Sequence, residues 1–137
     1  FLLGDRSDGQ LLFASLLQPK QHEDAVIADS QAWIAMNYHE TNPVGRMIAR
    51  SGLTERTFKR RFSAATGYSP MDYVQTLRIE EAKQSLESDD IPIDDIAHSI
   101  GYQDPAFFRR LFKKRTGVTP GRYRQRFQSI ARHSGSA

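Results

Sequence analysis

One stretch of this chain is written twice. Residues 58–75 lie over residues 108–125 at a spacing of fifty, and eight of the eighteen positions are identical. The shared residues are Phe58 and Phe108, Arg60 and Arg110, Phe62 and Phe112, Thr66 and Thr116, Gly67 and Gly117, Pro70 and Pro120, Tyr73 and Tyr123, Gln75 and Gln125. A repeat of this kind means one supersecondary unit built twice along the chain. Upstream the copies slip. Gly52 stands six residues before Phe58, whereas Gly101 stands seven before Phe108, so the second unit has the longer turn.

The segments around the repeat read as helices. From about Asp24 to His39, Val26, Ile27, Trp33, Ile34 and Tyr38 recur at roughly helical intervals, and Thr41-Asn42-Pro43 ends the run. Val44, Met47 and Ile48 form a short stripe closed by Ser51-Gly52. Thr54 is placed to cap a helix that stops at Gly67. The stretch from Pro70 to about residue 87 is the longest uninterrupted helix pattern, broken by Ser88-Asp89-Asp90-Ile91-Pro92. The pattern then returns: a stripe of Ile93, Ile96, Ala97 and Ile100, Gly101, the cap Asp104, a helix to Gly117, and a last short helix from Pro120. Residues 129–137 read as a frayed tail. The architecture expected is all-α, two copies of a small helical unit joined by a long helix.

A short helix, a glycine-containing turn and a second helix with basic residues outside make a helix-turn-helix. The second helix presents a strip of side chains narrow enough for a DNA major groove. In the first copy Phe58 and Phe62 face inward, which leaves Arg56, Lys59, Arg60 and Ser63 as an outward stripe. In the second, Phe108, Leu111 and Phe112 face inward, with Ala106, Phe107, Arg109, Arg110 and Lys113 outside. An arginine on such a stripe can grip guanine with two hydrogen bonds. Phe107 either widens the core or meets a thymine methyl in the groove.

Charge points the same way. Residues 1–40 hold six acids and two bases, and residues 41–137 hold ten acids and seventeen bases, within a net charge of +3. Residues 105–126 carry eight bases and no acid. A polyanionic partner and a merely solvated basic face explain this equally on charge alone.

Other classes find little support. Hydrophobic residues make up 39% of the chain, enough for one modest core or two small ones and too much for a disordered segment. There is no cysteine, hence no disulfide or thiolate chemistry. No apolar run approaches a membrane span. His22, His39, His98 and His133 are scattered without a second ligand at close helical spacing, so no metal site is expected. No nucleophile elbow and no glycine-rich phosphate loop occurs, so neither catalytic residues nor a cofactor are expected. The acid-rich run 80–95, seven acids and Lys83, reads as a solvated face and exit loop, with Asp94 and Asp95 favouring the next helix's N-terminus. Two competing readings remain. One is a helical module that docks on RNA polymerase without reading bases, which the basic stripes oppose. The other is RNA binding, which would need exposed aromatic platforms.

The combination Ala49-x-x-Gly52, Phe58-x-Arg60-x-Phe62, Gly67-x-Ser69-Pro70 and Tyr73, followed by Ile96-Ala97, Gly101-Tyr102-x-Asp104, Phe108-x-Arg110-x-Phe112-Lys113, Thr116-Gly117-Val118-Thr119-Pro120 and Tyr123-Arg124, resembles the DNA-binding domain of the AraC/XylS transcription regulators. The resemblance covers about residues 25–127. It implies seven helices, with helix-turn-helix units at about 43–67 and 93–117 bridged by a helix over about 70–87. It implies that both recognition helices enter successive major grooves of double-stranded DNA. By position, the expected base contacts are Arg56, Lys59 and Arg60, and Ala106, Phe107, Arg109 and Arg110; the expected phosphate contacts are Thr54, Ser63, Lys113, Lys114 and Thr119. Ala106 has no side chain to hydrogen-bond a base. Residue 1 is Phe, which suggests a piece of a longer protein. Residues 1–23 fall outside the DNA-binding domain (24–127), as do residues 128–137. The segment with Gly9-Gln10, Phe13 and Pro19 is similar to the linker that follows a glutamine-amidotransferase-like sensing domain in some family members. The resemblance thus implies RNA polymerase as a further partner, an effector bound by a separate N-terminal domain, and a cytoplasmic setting.

Overall fold

The computed structural model describes the backbone of residues 24–135 and the side chains of residues 24–128. The segment read as a linker, 1–23, lies outside the described residues. These form seven helices and no strand: α1 (Ala25–Asn37), α2 (Pro43–Ser51), α3 (Glu55–Thr66), α4 (Pro70–Ser88), α5 (Ile93–Ser99), α6 (Pro105–Thr116) and α7 (Pro120–Gly135). The expected all-α class and helix number are met. The chain divides into two compact units, one ending at Glu80 and one beginning at Glu81. The division falls inside α4, whose first half closes the first unit and whose second half opens the second.

In the first unit α1 buries Ile27, Ser30, Gln31 and Ile34, a seam at i, i+3, i+4 and i+7. Two of these four are polar, which is why apolar spacing alone describes α1 poorly. Gln31 is accommodated because its Nε2 donates to the Tyr73 hydroxyl at 3.1 Å. Burial pushes that hydroxyl above the ordinary tyrosine range, against the effect of the Gln31 bond. Around this seam pack Met47, Phe58, Phe62, Val74 and Leu77. Arg78 on α4 is also buried. Its Nε donates to Tyr38 O at 2.7 Å and its Nη2 to Glu40 O at 3.0 Å, so a charged group satisfies carbonyls just beyond the end of α1.

The second unit buries Ala82 and Leu86 of α4 with Ile96, Ala97, Ile100, Tyr102, Phe108, Phe112 and Tyr123. The repeat survives in atomic detail. Phe58 and Phe62 lie 5.6 Å apart, Phe108 and Phe112 5.8 Å. Tyr73 meets Phe62 edge-on at 5.1 Å, and Tyr123 meets Phe112 edge-on at 5.5 Å. Thr66 donates to Phe62 O and Thr116 to Phe112 O, both at 2.8 Å. Gly67 and Gly117 then turn the chain at φ 82° and 87°, a backbone region that L side chains avoid. Ser69 and Thr119 cap the following helices by accepting from Asp72 N and Arg122 N.

The slip between the copies is also seen. Gly52 closes α2 directly at φ 73°. In the second unit Gly101 adds a residue at φ 111°, and Tyr102 N reaches back to Ala97 O at 2.9 Å. At the other end, α7 continues to Gly135, through the stretch read from sequence as a tail. No Gly or Pro stands between Gly121 and Gly135 to stop it.

Candidate nucleic-acid interface

The two recognition helices are α3 and α6. Each is cut to length by local chemistry. The Thr54 hydroxyl accepts from Thr57 N at 3.2 Å at the start of α3. Asp104 accepts from Ala106 N at 3.0 Å at the start of α6, with Pro105 in the first position. Each helix is fixed by two fully buried phenylalanines, and the opposite face is left to solvent.

Every residue expected to touch bases is exposed: Arg56, Lys59 and Arg60 on α3, and Ala106, Phe107, Arg109 and Arg110 on α6. The same holds for the expected phosphate contacts Thr54, Ser63, Lys113, Lys114 and Thr119. Each unit therefore brings its own set together around one helix. Thr54 and Thr119 are engaged as cap acceptors, so each would meet a phosphate through its O–H as donor. Phe107 is 40% exposed while its ring lies 5.5 Å from Tyr102, so it packs at the edge of the core and still shows an apolar face.

The cations are not equivalent. Arg61, next to the outward stripe, turns away: its Nε and Nη2 donate to Asp24 at 2.9 and 2.7 Å. That bond holds the Asp24 carboxyl below its ordinary range, against the effect of burial, with the Ile27 amide helping. Lys59 pairs with Glu55 at 2.7 Å, and Glu55 is correspondingly held low by the Lys59 ammonium. Arg109 pairs with Asp94 of α5 at 2.6 Å. Asp94 lies in the first turn of α5, as the sequence suggested, but its ion pair was not legible there: the partners are far apart in sequence and on different helices. Arg56, Arg60 and Arg110 are exposed and have no ion pair among the described residues.

The geometry is that of two helix-turn-helix heads, and known proteins share it. A family model described as a helix-turn-helix domain matches residues 47–126. The solved DNA-binding domain of AdpA, a global transcriptional factor crystallised with a target DNA, is 32% identical, with a TM-score of 0.73 over 76% of this chain and 94% of that one. The chain belongs to the AraC-type family of helix-turn-helix transcription regulators. Among its relatives, the activator RhaR of Yersinia pseudotuberculosis is 37% identical over 114 residues, 83% of this chain and 38% of that protein. The MmsAB operon regulatory protein of Pseudomonas aeruginosa is 32% identical over 111 residues, 81% of this chain and 36% of that protein. The chain thus spans somewhat over a third of these relatives. The matched family and the fold are those of DNA-binding transcription regulators, not of an enzyme. Among the described residues, no helix is long and apolar enough to cross a membrane.

Proposed function

We propose that the chain is the DNA-reading part of a transcription regulator and binds double-stranded DNA sequence-specifically, α3 and α6 each entering a major groove. The observation that supports this most is the pair Arg60 and Arg110. They occupy the same repeat position, on the exposed side of helices anchored by matched phenylalanines, and carry no ion pair among the described residues. A guanidinium so placed can donate two hydrogen bonds to guanine O6 and N7. Arg56 and Lys59 complete the base-reading set of the first head, Phe107 and Arg109 that of the second. Ala106 contributes apolar contact at most. Thr54, Ser63, Lys113, Lys114 and Thr119 anchor the phosphates and set the register.

RNA polymerase is the second partner in this reading. Met36, Met71 and Ile91, which are exposed and do not belong to either recognition helix, are apolar side chains open to it. An effector would bind the part of the regulator that lies outside this chain, and the setting would be cytoplasmic. The test is binding to random duplex DNA as salt is varied. About six phosphate contacts would weaken binding on the order of a thousandfold between about 50 and 200 mM salt. A flat response would instead favour an adaptor that docks on RNA polymerase without gripping DNA.

A further inference from the structure

Positions 59 and 109 correspond in the repeat, and each holds a cation already facing a carboxylate. The two acids come from different places. Glu55 belongs to the first turn of α3 itself, an ordinary pairing four residues along one helix. Asp94 belongs to α5, the other helix of its helix-turn-helix, and reaches Arg109 Nη2 at 2.6 Å with both side chains about half exposed. It therefore orients Arg109 from outside the recognition helix and sets a negative charge beside the reading face.

We propose that Asp94 is a specificity-determining residue of the second head, holding Arg109 toward a base edge and disfavouring backbone-only binding. This rests on the DNA-reading role above. A guanidinium has five N–H donors in a rigid fork. The pair with Asp94 engages Nη2 and leaves donors for a base. Binding to random DNA is almost wholly attraction between cations and phosphates. A carboxylate next to the groove-facing arginine weakens that attraction in every register. In the matched register the guanine acceptors compensate, so the penalty falls mainly on wrong sites.

Asp94→Asn removes the charge and keeps the shape. It should raise affinity for a random duplex about threefold to tenfold, steepen the salt dependence by about one phosphate equivalent, and relax the preference at one base pair of the selected site. Asp94→Glu should restore the wild-type preference. The control is Asp95→Asn, which makes the same change in net charge in the same exposed turn, at an aspartate with no ion pair among the described residues. It should alter affinity for all sequences alike and leave the preference intact. Thermal unfolding of each variant verifies that the fold is retained. If Asp94→Asn and Asp95→Asn shift selected and random DNA equally, Asp94 is only one more surface charge and the proposal is overturned. If the wild-type chain itself shows no preference among duplexes, the DNA-reading role fails first, and the two failures are told apart by that measurement.

Discussion

The two units share a frame and differ in what the frame presents. Both set a Phe–Phe pair against an edge-on tyrosine and end the recognition helix on Thr-Gly. On the outward side the copies diverge. Arg56 is matched by Ala106, Thr57 by Phe107, Ser63 by Lys113 and Ala64 by Lys114. The first head carries its cations early in the helix, and the second carries them late, behind an apolar start. The supports differ too. The first unit opens on its own cap, Asp24, which also ties down Arg61, whereas the second begins in the continuation of α4 and has the half-buried Leu111 where the first has Arg61. Arg60 and Arg110 aside, identity between the copies falls mainly on what holds the helices, and difference mainly on the faces they expose.

The largest effect should come from breaking the shared frame. Phe62→Ala and Phe112→Ala each remove a fully buried ring and should cost about 3–5 kcal/mol in chemical denaturation. Similar costs at the two sites would support an equivalent frame, and a cost below about 1 kcal/mol at either would break the equivalence. The outward faces come next. Arg60→Ala and Arg110→Ala should each lose about 1–3 kcal/mol of binding to the preferred site and relax the preference at a different base pair. If random DNA weakens by the same factor, these arginines only hold phosphates. The smallest effect concerns the support found in the first unit alone. Asp24→Ala loses the cap of α1 and should cost about 1 kcal/mol. Asp24→Asn keeps a cap but loses the carboxylate that Arg61 holds. Because the folded-state pKa of Asp24 is depressed, its contribution is complete above the unfolded value of about 3.9 and is lost as pH falls through the lower folded value. The wild-type chain should therefore lose more stability on acidification below about pH 4 than Asp24→Asn does. Parallel curves would show that the pair contributes nothing.

Much of this was legible in the sequence because the repeat supplied its own control. Phe, Gly, Pro and Tyr at matched positions fixed the helix ends, the inward stripes and the longer second turn, and the exposed arginines followed as their complement. What escaped were interactions with no local signature. The polar seam of α1 needs Tyr73 to make sense of Gln31, and the burial of Arg78 needs the carbonyls of Tyr38 and Glu40. The Arg109–Asp94 pair depends on how two helices cross, which spacing does not report. Pro120 marks the start of α7 in the sequence, but nothing marks its end, because no Gly or Pro interrupts the helix between Gly121 and Gly135.

The central claim is that one chain carries two unlike reading heads, and selection of bound duplexes from a random pool tests it most directly. Heads that differ at Arg56 and Ala106, Ser63 and Lys113, should select one directional, non-palindromic site with two separate blocks of preferred bases, bound by a single chain. Replacing Arg60 should relax preference at one base pair of one block, and replacing Arg110 at one base pair of the other. Recovery of a palindrome, of a single block insensitive to one of the two arginines, or of no enriched sequence at all would contradict the account.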